Sequence, residues 1–130
     1  MLDAVIRPYA VKISGEPIYV SFNLENLSFH FILRTRKNSQ NLITEIFIPT
    51  YHYGKVGVRV NITSGKYSYD PKHQSLNWEI DAHGNQLDPG LLEILNANKH
   101  VIDDDNFDYH KIEILPHQDL VPNDSKCLIS

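Results

Sequence analysis

The sequence predicts an all-β protein, an antiparallel two-sheet β-sandwich of immunoglobulin-like or related type. Apolar residues alternate with polar residues in several separate segments, and turn-forming residues recur between those segments. No helical stripe competes with this alternation, apart from a short helix predicted around 89–98, where Pro89 suits the first turn. The length of 130 residues is enough for one such domain and its core.

Five segments carry the alternation, each with one apolar face and one largely polar face. In chain order, the apolar faces are Ile18, Val20 and Phe22; Leu27, Phe29, Phe31 and Leu33; Val56, Val58, Val60 and Ile62; Leu76, Trp78 and Ile80; and Ile112 and Ile114. A buried face that alternates with a wet face is typical of antiparallel sheets packed face to face.

The turn signals divide these segments into short strands. They lie at 23–26, 36–41, 64–65, 70–71 and 83–85, and are rich in Asn, Asp, Ser, Gly and Pro. We therefore expect the sandwich to occupy residues 9–115. Residues 116–130 are polar and contain Pro122, which predicts a flexible C-terminal tail.

Composition excludes several classes of function. The net charge of −4 argues against nucleic acid as a partner, because nucleic-acid-binding proteins usually carry a basic patch. No apolar stretch reaches the roughly 20 residues that a membrane-spanning helix needs. The single cysteine, Cys127, excludes an internal disulfide framework and a cysteine-rich zinc site.

Three segments together resemble a known family. They are Val5-Ile6-Arg7-Pro8-Tyr9, Ser14-Gly15-Glu16-Pro17 and Thr44-Glu45-Ile46-Phe47-Ile48-Pro49. The chain from about residue 6 to 115 resembles the C-terminal β-sandwich of glycoside hydrolase family 5 enzymes of the endoglycoceramidase and fungal steryl-β-glucosidase/glucosylceramidase type. Ala10 departs from the pattern, since the family usually has a second proline there.

This resemblance implies a non-catalytic module. Residues 1–8 would be the junction from a missing catalytic (β/α)8 barrel, which would be the partner of the sandwich. The parent enzyme would be a retaining glycosidase that cleaves the β-glucosidic bond of glucosylceramide or a steryl glucoside. No catalytic residue can be carried over, and we expect Glu45, Glu79 and Glu113 to be surface or edge carboxylates. No cofactor is predicted, and this chain alone should be inactive.

The aromatic run Tyr51-His52-Tyr53 is the candidate binding site, and it has two interpretations. Exposed aromatic rings stack on the flat apolar faces of sugars, which favours an independent carbohydrate- or lipid-binding sandwich. Alternatively, Tyr51 and Tyr53 close one end of the sandwich or pack on the neighbouring barrel, and we favour this second interpretation.

Other polar clusters are weaker indications of a metal or lipid-binding site. Asp103–Asn106 with Asp108 offers oxygen ligands for Ca²⁺ but lacks the spacing of an EF-hand, so a solvated acidic loop and no metal site is expected. The seven histidines are scattered and are interpreted as surface or turn residues. Arg34, Arg36 and Lys37 would contact anionic lipid headgroups or form a solvated hairpin tip.

The C-terminal sequence Cys127-Leu128-Ile129-Ser130 is a C-a-a-X box, and its terminal serine favours farnesylation of Cys127. Prenylation would place the protein in the cytoplasm, attached to membranes, and a membrane-targeted C2-like or immunoglobulin-like adaptor is a third interpretation. The Asn-x-Ser/Thr sequons at Asn26, Asn61 and Asn123 favour secretion instead. We rank the C-a-a-X box above the sequons.

Overall fold

The structure, a computed structural model, describes residues 7–53, 57–81, 88–103 and 105–117. These residues form eight strands and two helices. In chain order the elements are β1 (Tyr9–Lys12), β2 (Glu16–Asn23), β3 (Ser28–Arg36), β4 (Leu42–Phe47), α1 (Thr50–Tyr53), β5 (Val58–Ile62), β6 (Lys66–Asp70), β7 (Ser75–Ile80), α2 (Pro89–Ala97) and β8 (Phe107–Pro116).

The strands form two antiparallel sheets, as the alternation predicted. Sheet A has the strand order β1-β4-β7-β6, and sheet B has the order β2-β3-β8-β5. Five of the seven pairs of consecutive strands therefore lie in different sheets: β1 and β2, β3 and β4, β4 and β5, β5 and β6, and β7 and β8. The prediction of an all-β sandwich is confirmed.

The main core lies between the two sheets and is built from the predicted apolar faces. Its buried members include Phe29, Phe31 and Leu33 of β3, which face Leu76 and Trp78 of β7 across the gap. Because side chains alternate along a strand, every second residue of β3 points away from this core. That outward row includes Ile32, which is nevertheless fully buried.

Helix α2 explains the burial of Ile32. Leu91 and Leu95 of α2 pack with Ile32 and Tyr109 as a second apolar cluster on the outer face of sheet B. The helix begins where predicted: the Asp88 side chain accepts a hydrogen bond from the Leu91 backbone N–H and caps the first turn. Sheet A has no such covering helix among the described residues.

The predicted turns connect the strands, with one addition. The 23–26 turn joins β2 to β3, and the Asn23 side chain accepts hydrogen bonds from the backbone N–H groups of Glu25 and Asn26. The expectation that 89–98 would be the only helix is corrected by α1, a single helical turn after Pro49. The 83–85 turn and Val56 lie outside the described residues. In the described part of the chain, neither helix is both long and apolar enough to cross a membrane.

Candidate functional site

The aromatic run forms helix α1, and its three side chains have different environments. The Tyr51 side chain is 61% exposed, whereas Tyr53 is fully buried. His52 is half-buried, with its ring centroid 5.7 Å from that of Phe22 on β2. The helical turn therefore places Tyr51 on the surface and directs Tyr53 into the core.

Tyr53 is held by a specific bond as well as by packing. Its hydroxyl donates a hydrogen bond to the Leu27 backbone carbonyl at 2.8 Å, which ties α1 to the turn between β2 and β3. Burial raises the pKa of the Tyr53 hydroxyl well above its usual range, so the hydroxyl remains a donor. Tyr53 closes this end of the sandwich, and of the two tyrosines only Tyr51 has an exposed ring.

The glutamates do not assemble into a hydrolytic pair. Glu45 and Glu79 lie on the outer face of sheet A, whereas Glu113 lies on sheet B, paired with His30 and Asn61. The Ser75 hydroxyl donates to Glu45, and the Lys66 ammonium lies 3.4 Å from Glu79. A retaining glycosidase needs two carboxyl groups about 5–5.5 Å apart on either side of the scissile bond. Carboxylates on an open sheet face, each with its own partner, do not provide that arrangement.

Glu79 also lines an open cavity at the opposite end of the sandwich from α1. The cavity has a volume of about 550 Å³, and Gln40, Asn41, Lys66 and Asp81 contribute to its polar wall. Lys66 and Glu79 form an exposed ion pair in this wall, with the ammonium 3.4 Å from the carboxylate.

The three basic residues near the end of β3 each have an intramolecular contact. The Arg34 guanidinium donates to Glu16 at 2.8 Å and lies 3.9 Å from the centre of the Phe107 ring. Arg36 also lies over this ring, at 5.3 Å. Lys37 donates to the buried Asp108 at 3.0 Å. The basic side chains therefore stabilise the end of sheet B instead of projecting together as a cationic tip.

The acidic segment folds back on itself. Asp103 accepts hydrogen bonds from the backbone N–H and the side-chain amide of Asn106, and these bonds lower its pKa. Asp108 points into the protein and binds Lys37, while Asp104 lies outside the described residues. Within the described ranges, no group of three or more His, Cys, Asp or Glu side chains is placed to hold a metal ion.

A buried polar network was not anticipated from the sequence. The His110 side chain is completely buried, with Nε2 at 2.9 Å from Thr35 Oγ1 and Nδ1 at 2.9 Å from Ser64 Oγ. The Trp78 indole donates to the Ser64 carbonyl at 2.9 Å. Because Trp78 belongs to sheet A and His110 to sheet B, the network connects the two sheets.

The interpretation of all seven histidines as surface or turn residues is therefore wrong for His110. The signal was present in the sequence: His110 and Asp108 are in phase with Ile112 and Ile114, which point to the core. Burial lowers the pKa of His110 to about 4, so the imidazole is neutral near pH 7. A neutral ring has one donor and one acceptor, and the two hydroxyls satisfy both.

Comparison with known proteins gives the family. Residues 7–88 match the family described as the glycoside hydrolase family 5 C-terminal domain. Over 77 residues, or 58% of the chain, the sequence is 38% identical to a glucosylceramidase of Rhizopus delemar. Over 79 residues, or 59% of the chain, it is 34% identical to an ergosteryl-β-glucosidase of Saccharomyces cerevisiae. These matches span only 11% and 10% of the two relatives.

The fold is also similar to part of a solved enzyme. Crystal structures of Cryptococcus neoformans sterylglucosidase 1 superimpose on 87% of the chain with TM-scores of 0.64 and 0.62. The chain covers 14% of that protein, at 20% and 19% sequence identity, a likeness that concerns the fold alone. Together with the sandwich architecture, the match over residues 7–88 shows that the chain belongs to the glycoside hydrolase family 5 C-terminal domain family.

Proposed function

We propose that the chain acts as the non-catalytic C-terminal module of a family 5 enzyme that hydrolyses the β-glucosidic bond of a glycolipid, either glucosylceramide or a steryl glucoside. The observation that carries this proposal is the family match over residues 7–88, supported by relatives that are named as a glucosylceramidase and an ergosteryl-β-glucosidase. The matched segment is about a tenth of each relative, so most of such an enzyme lies in other segments.

The arrangement of polar groups supports a structural role. On the open face of sheet A, Glu45 accepts a hydrogen bond from Ser75 and Glu79 forms an ion pair with Lys66, and the buried His110 contacts two hydroxyls. In our proposal the module binds the catalytic barrel and stabilises it, and the barrel supplies the two glutamates of the retaining mechanism.

The first experiment asks whether the chain has any activity of its own. Purified chain is incubated with glucosylceramide and with a steryl glucoside, and released glucose is measured. We expect none. Turnover that disappears in a Glu45→Gln or Glu79→Gln variant would contradict the non-catalytic role.

The second experiment asks whether the chain can serve as the module. The full chain replaces the matching segment of the Rhizopus delemar glucosylceramidase, and hydrolysis of glucosylceramide is measured. We expect this chimera to be soluble and active. An inactive or insoluble chimera, beside an active parent enzyme, would count against the proposal.

A free-standing binding module is the second candidate function, and the exposure of Tyr51 favours it. A carbohydrate or lipid surface would then stack on that ring. Binding of the chain to glycans or to glycolipid vesicles, lost in Tyr51→Ala, would support this candidate, whereas a purely structural module shows no affinity. Cys127 lies outside the described residues, and its farnesylation, with the membrane-attached cytoplasmic location it implies, stays a prediction.

A further inference from the structure

Two open cavities adjoin at the end of the sandwich that lies opposite α1. The larger, lined by Glu79, has a volume of about 550 Å³, and the smaller, lined by Arg36, has a volume of about 420 Å³. Ser39 and Leu42 line both cavities and therefore form the border that they share. Both volumes lie within the roughly 300–1,000 Å³ that is typical of small-molecule sites. We call the two cavities together the end groove.

Connections between strands shape this groove. Residues 13–15 join β1 to β2 and residues 37–41 join β3 to β4, and both connections line the groove. Gly15 has a φ of +144°, and a Cβ atom on it would lie 2.6 Å from the Arg34 carbonyl oxygen. The absence of a side chain therefore lets the β1–β2 connection pack directly against β3, which fixes one rim of the groove.

The charged residues of the end groove balance one another. Three are basic and three are acidic: Arg34, Arg36, Lys66, Glu16, Glu79 and Asp81. Arg34 donates to Glu16 at 2.8 Å, and the ammonium of Lys66 lies 3.4 Å from the Glu79 carboxylate. The formal net charge of these lining residues is therefore zero. A ligand with a large net charge gains no long-range attraction from such a surface, so the lining favours a neutral molecule.

The groove also carries uncharged hydrogen-bonding groups. Gln40 and Asn41 are exposed, and each side-chain amide has two donor hydrogens and an acceptor oxygen. The Ser39 hydroxyl donates to the Arg36 carbonyl at 2.6 Å, so its oxygen still has lone pairs that accept. The groove thus offers donors and acceptors side by side. A ligand rich in hydroxyl groups needs both, because each hydroxyl donates and accepts.

Apolar side chains complete the lining. Leu42 is half-buried at the shared border, Ile80 lines the larger cavity and Phe107 lines the smaller one. The Arg34 guanidinium lies 3.9 Å from the centre of the Phe107 ring, which holds both side chains in place. Small-molecule sites combine apolar walls with a few placed polar groups. A saccharide combines hydroxyl groups with apolar C–H faces, so its surface is complementary to this lining.

The groove is remote from the point where the family match begins. That match starts at Arg7, two residues before β1, and the pairing of Tyr9 with Phe47 places the start of β1 at the α1 end of sheet A. β1 then runs toward the groove, because Lys12 pairs with Glu45. In the relatives, of which the matched segment is about a tenth, the preceding polypeptide therefore reaches the domain at the opposite end. A ligand in the groove does not compete with that connection.

We infer that the end groove binds a neutral oligosaccharide that reaches across both cavities. Hydroxyl groups of the sugar donate to the carboxylates of Glu16 and Glu79 and accept from Arg36 and Gln40. An apolar face of a sugar ring lies on Leu42. This inference goes beyond the proposed function and does not depend on it. The site is also distinct from the exposed tyrosine of α1, which lies at the other end of the sandwich.

A nuclear magnetic resonance titration of the full chain tests the inference. Laminaritriose, cellotriose and maltotriose are the neutral probes, and inorganic phosphate probes an anion site at Arg34 and Arg36. We expect at least one trisaccharide to cause saturable shifts of the backbone amides at 39–42 and 65–66, and phosphate to cause none there. Shifts confined to 50–53, saturation of the groove amides by phosphate, or no saturable shift with any of the sugars would overturn the inference.

Two matched pairs of substitutions locate the ligand. Arg36→Ala in the smaller cavity is matched by Lys72→Ala, and Gln40→Ala in the larger cavity is matched by Asn96→Ala. All four residues are exposed, and the two controls lie away from the groove. Each groove variant should weaken binding of the responding trisaccharide about tenfold, because it removes a hydrogen bond to the ligand, and the controls should bind like the unmodified chain. Weakening in only one groove variant would overturn the two-cavity site, and equal affinities in all four variants would overturn the site altogether.

Discussion

His110 illustrates how a polar side chain is accommodated inside this sandwich. Thr35 and Ser64, which are 75 and 46 residues away in sequence, contact its two ring nitrogens. Protonation would turn both nitrogens into donors and would place a positive charge on a completely buried side chain. The neighbouring carboxylates of Asp108 and Asp81 favour the charged form, but burial has the larger effect on the pKa of His110.

We predict that the domain loses stability in mild acid because of His110. The pKa of His110 is about 4 in the folded protein and 6.5 when the side chain is not buried. At a pH between these two values, the unfolded chain therefore binds the proton more tightly than the folded protein does. The stabilising contribution of neutral His110 to the free energy of unfolding is complete above about pH 6.5. It declines by about 3 kcal/mol in total as the pH falls toward 4. Urea unfolding at several pH values measures it.

The matched variants for this prediction are His110→Gln and His73→Gln. The first retains hydrogen-bonding groups but removes the buried titration, so its free energy of unfolding should depend less on pH between 4 and 6.5, from a lower starting value. His73 is exposed on the surface next to Asp70, and its replacement should leave most of the slope in place. An unchanged slope in His110→Gln would show that other groups cause the acid sensitivity.

At the scale of elements, the short connections require particular backbone conformations. Gly65, in the turn between β5 and β6, has a φ of +79°, and a Cβ atom there would lie 1.9 Å from the Glu79 carbonyl oxygen. Gly57, just before β5, has a similar φ of +75°, but a Cβ atom would meet nothing closer than His117 Cβ at 3.9 Å. The two glycines share a conformation and differ in the space around them.

We therefore predict different costs for the same substitution. Gly57→Ala incurs mainly the conformational penalty of a left-handed residue, about 1 kcal/mol of unfolding free energy. Gly65→Ala also forces β6 away from β7 and should cost more than about 3 kcal/mol. Chemical denaturation of both variants measures the difference, and similar costs would mean that the turn adjusts around the added methyl group.

At the scale of the whole molecule, the two sheets are interlocked. The connections β1–β2, β3–β4, β4–β5, β5–β6 and β7–β8 all pass from one sheet to the other. The ring of Trp78 in sheet A lies edge-to-face with that of His110 in sheet B, at 6.4 Å between centroids. Separation of the sheets would break this contact and expose the main core, to which both sheets contribute. Among the described residues, the smaller cluster between α2 and the outer face of sheet B belongs to one sheet alone.

The prediction at this scale is a single cooperative unfolding transition. Trp78 is the only tryptophan in the sequence and is fully buried, so its fluorescence reports on the core between the sheets. Its transition in denaturant should coincide with that of the far-ultraviolet circular dichroism, which reports on all strands. An earlier transition in fluorescence would show that the sheets separate before the strands unfold.

The local patterns of the sequence predicted five of the eight described strands (β2, β3, β5, β7 and β8), the helix around 89–98, the turns that the structure describes and the family. These features were predictable because side-chain alternation, capping and turn chemistry depend on residues close together in the chain. The alternation along β8 even indicated that His110 is buried, because His110 is in phase with Ile112 and Ile114. The hydrogen-bond partners of His110 could not be identified from that alternation alone.

Only the tertiary structure decided which strands are neighbours, and therefore which surfaces remain uncovered. The order β1-β4-β7-β6 against β2-β3-β8-β5 places the β1 and β2 edges side by side and leaves Val20 exposed despite its inward phase. It also separates Tyr53, in the core, from Tyr51 on the surface. Strand pairing and helix docking join residues far apart in sequence, and a pattern of period two contains no information about such contacts.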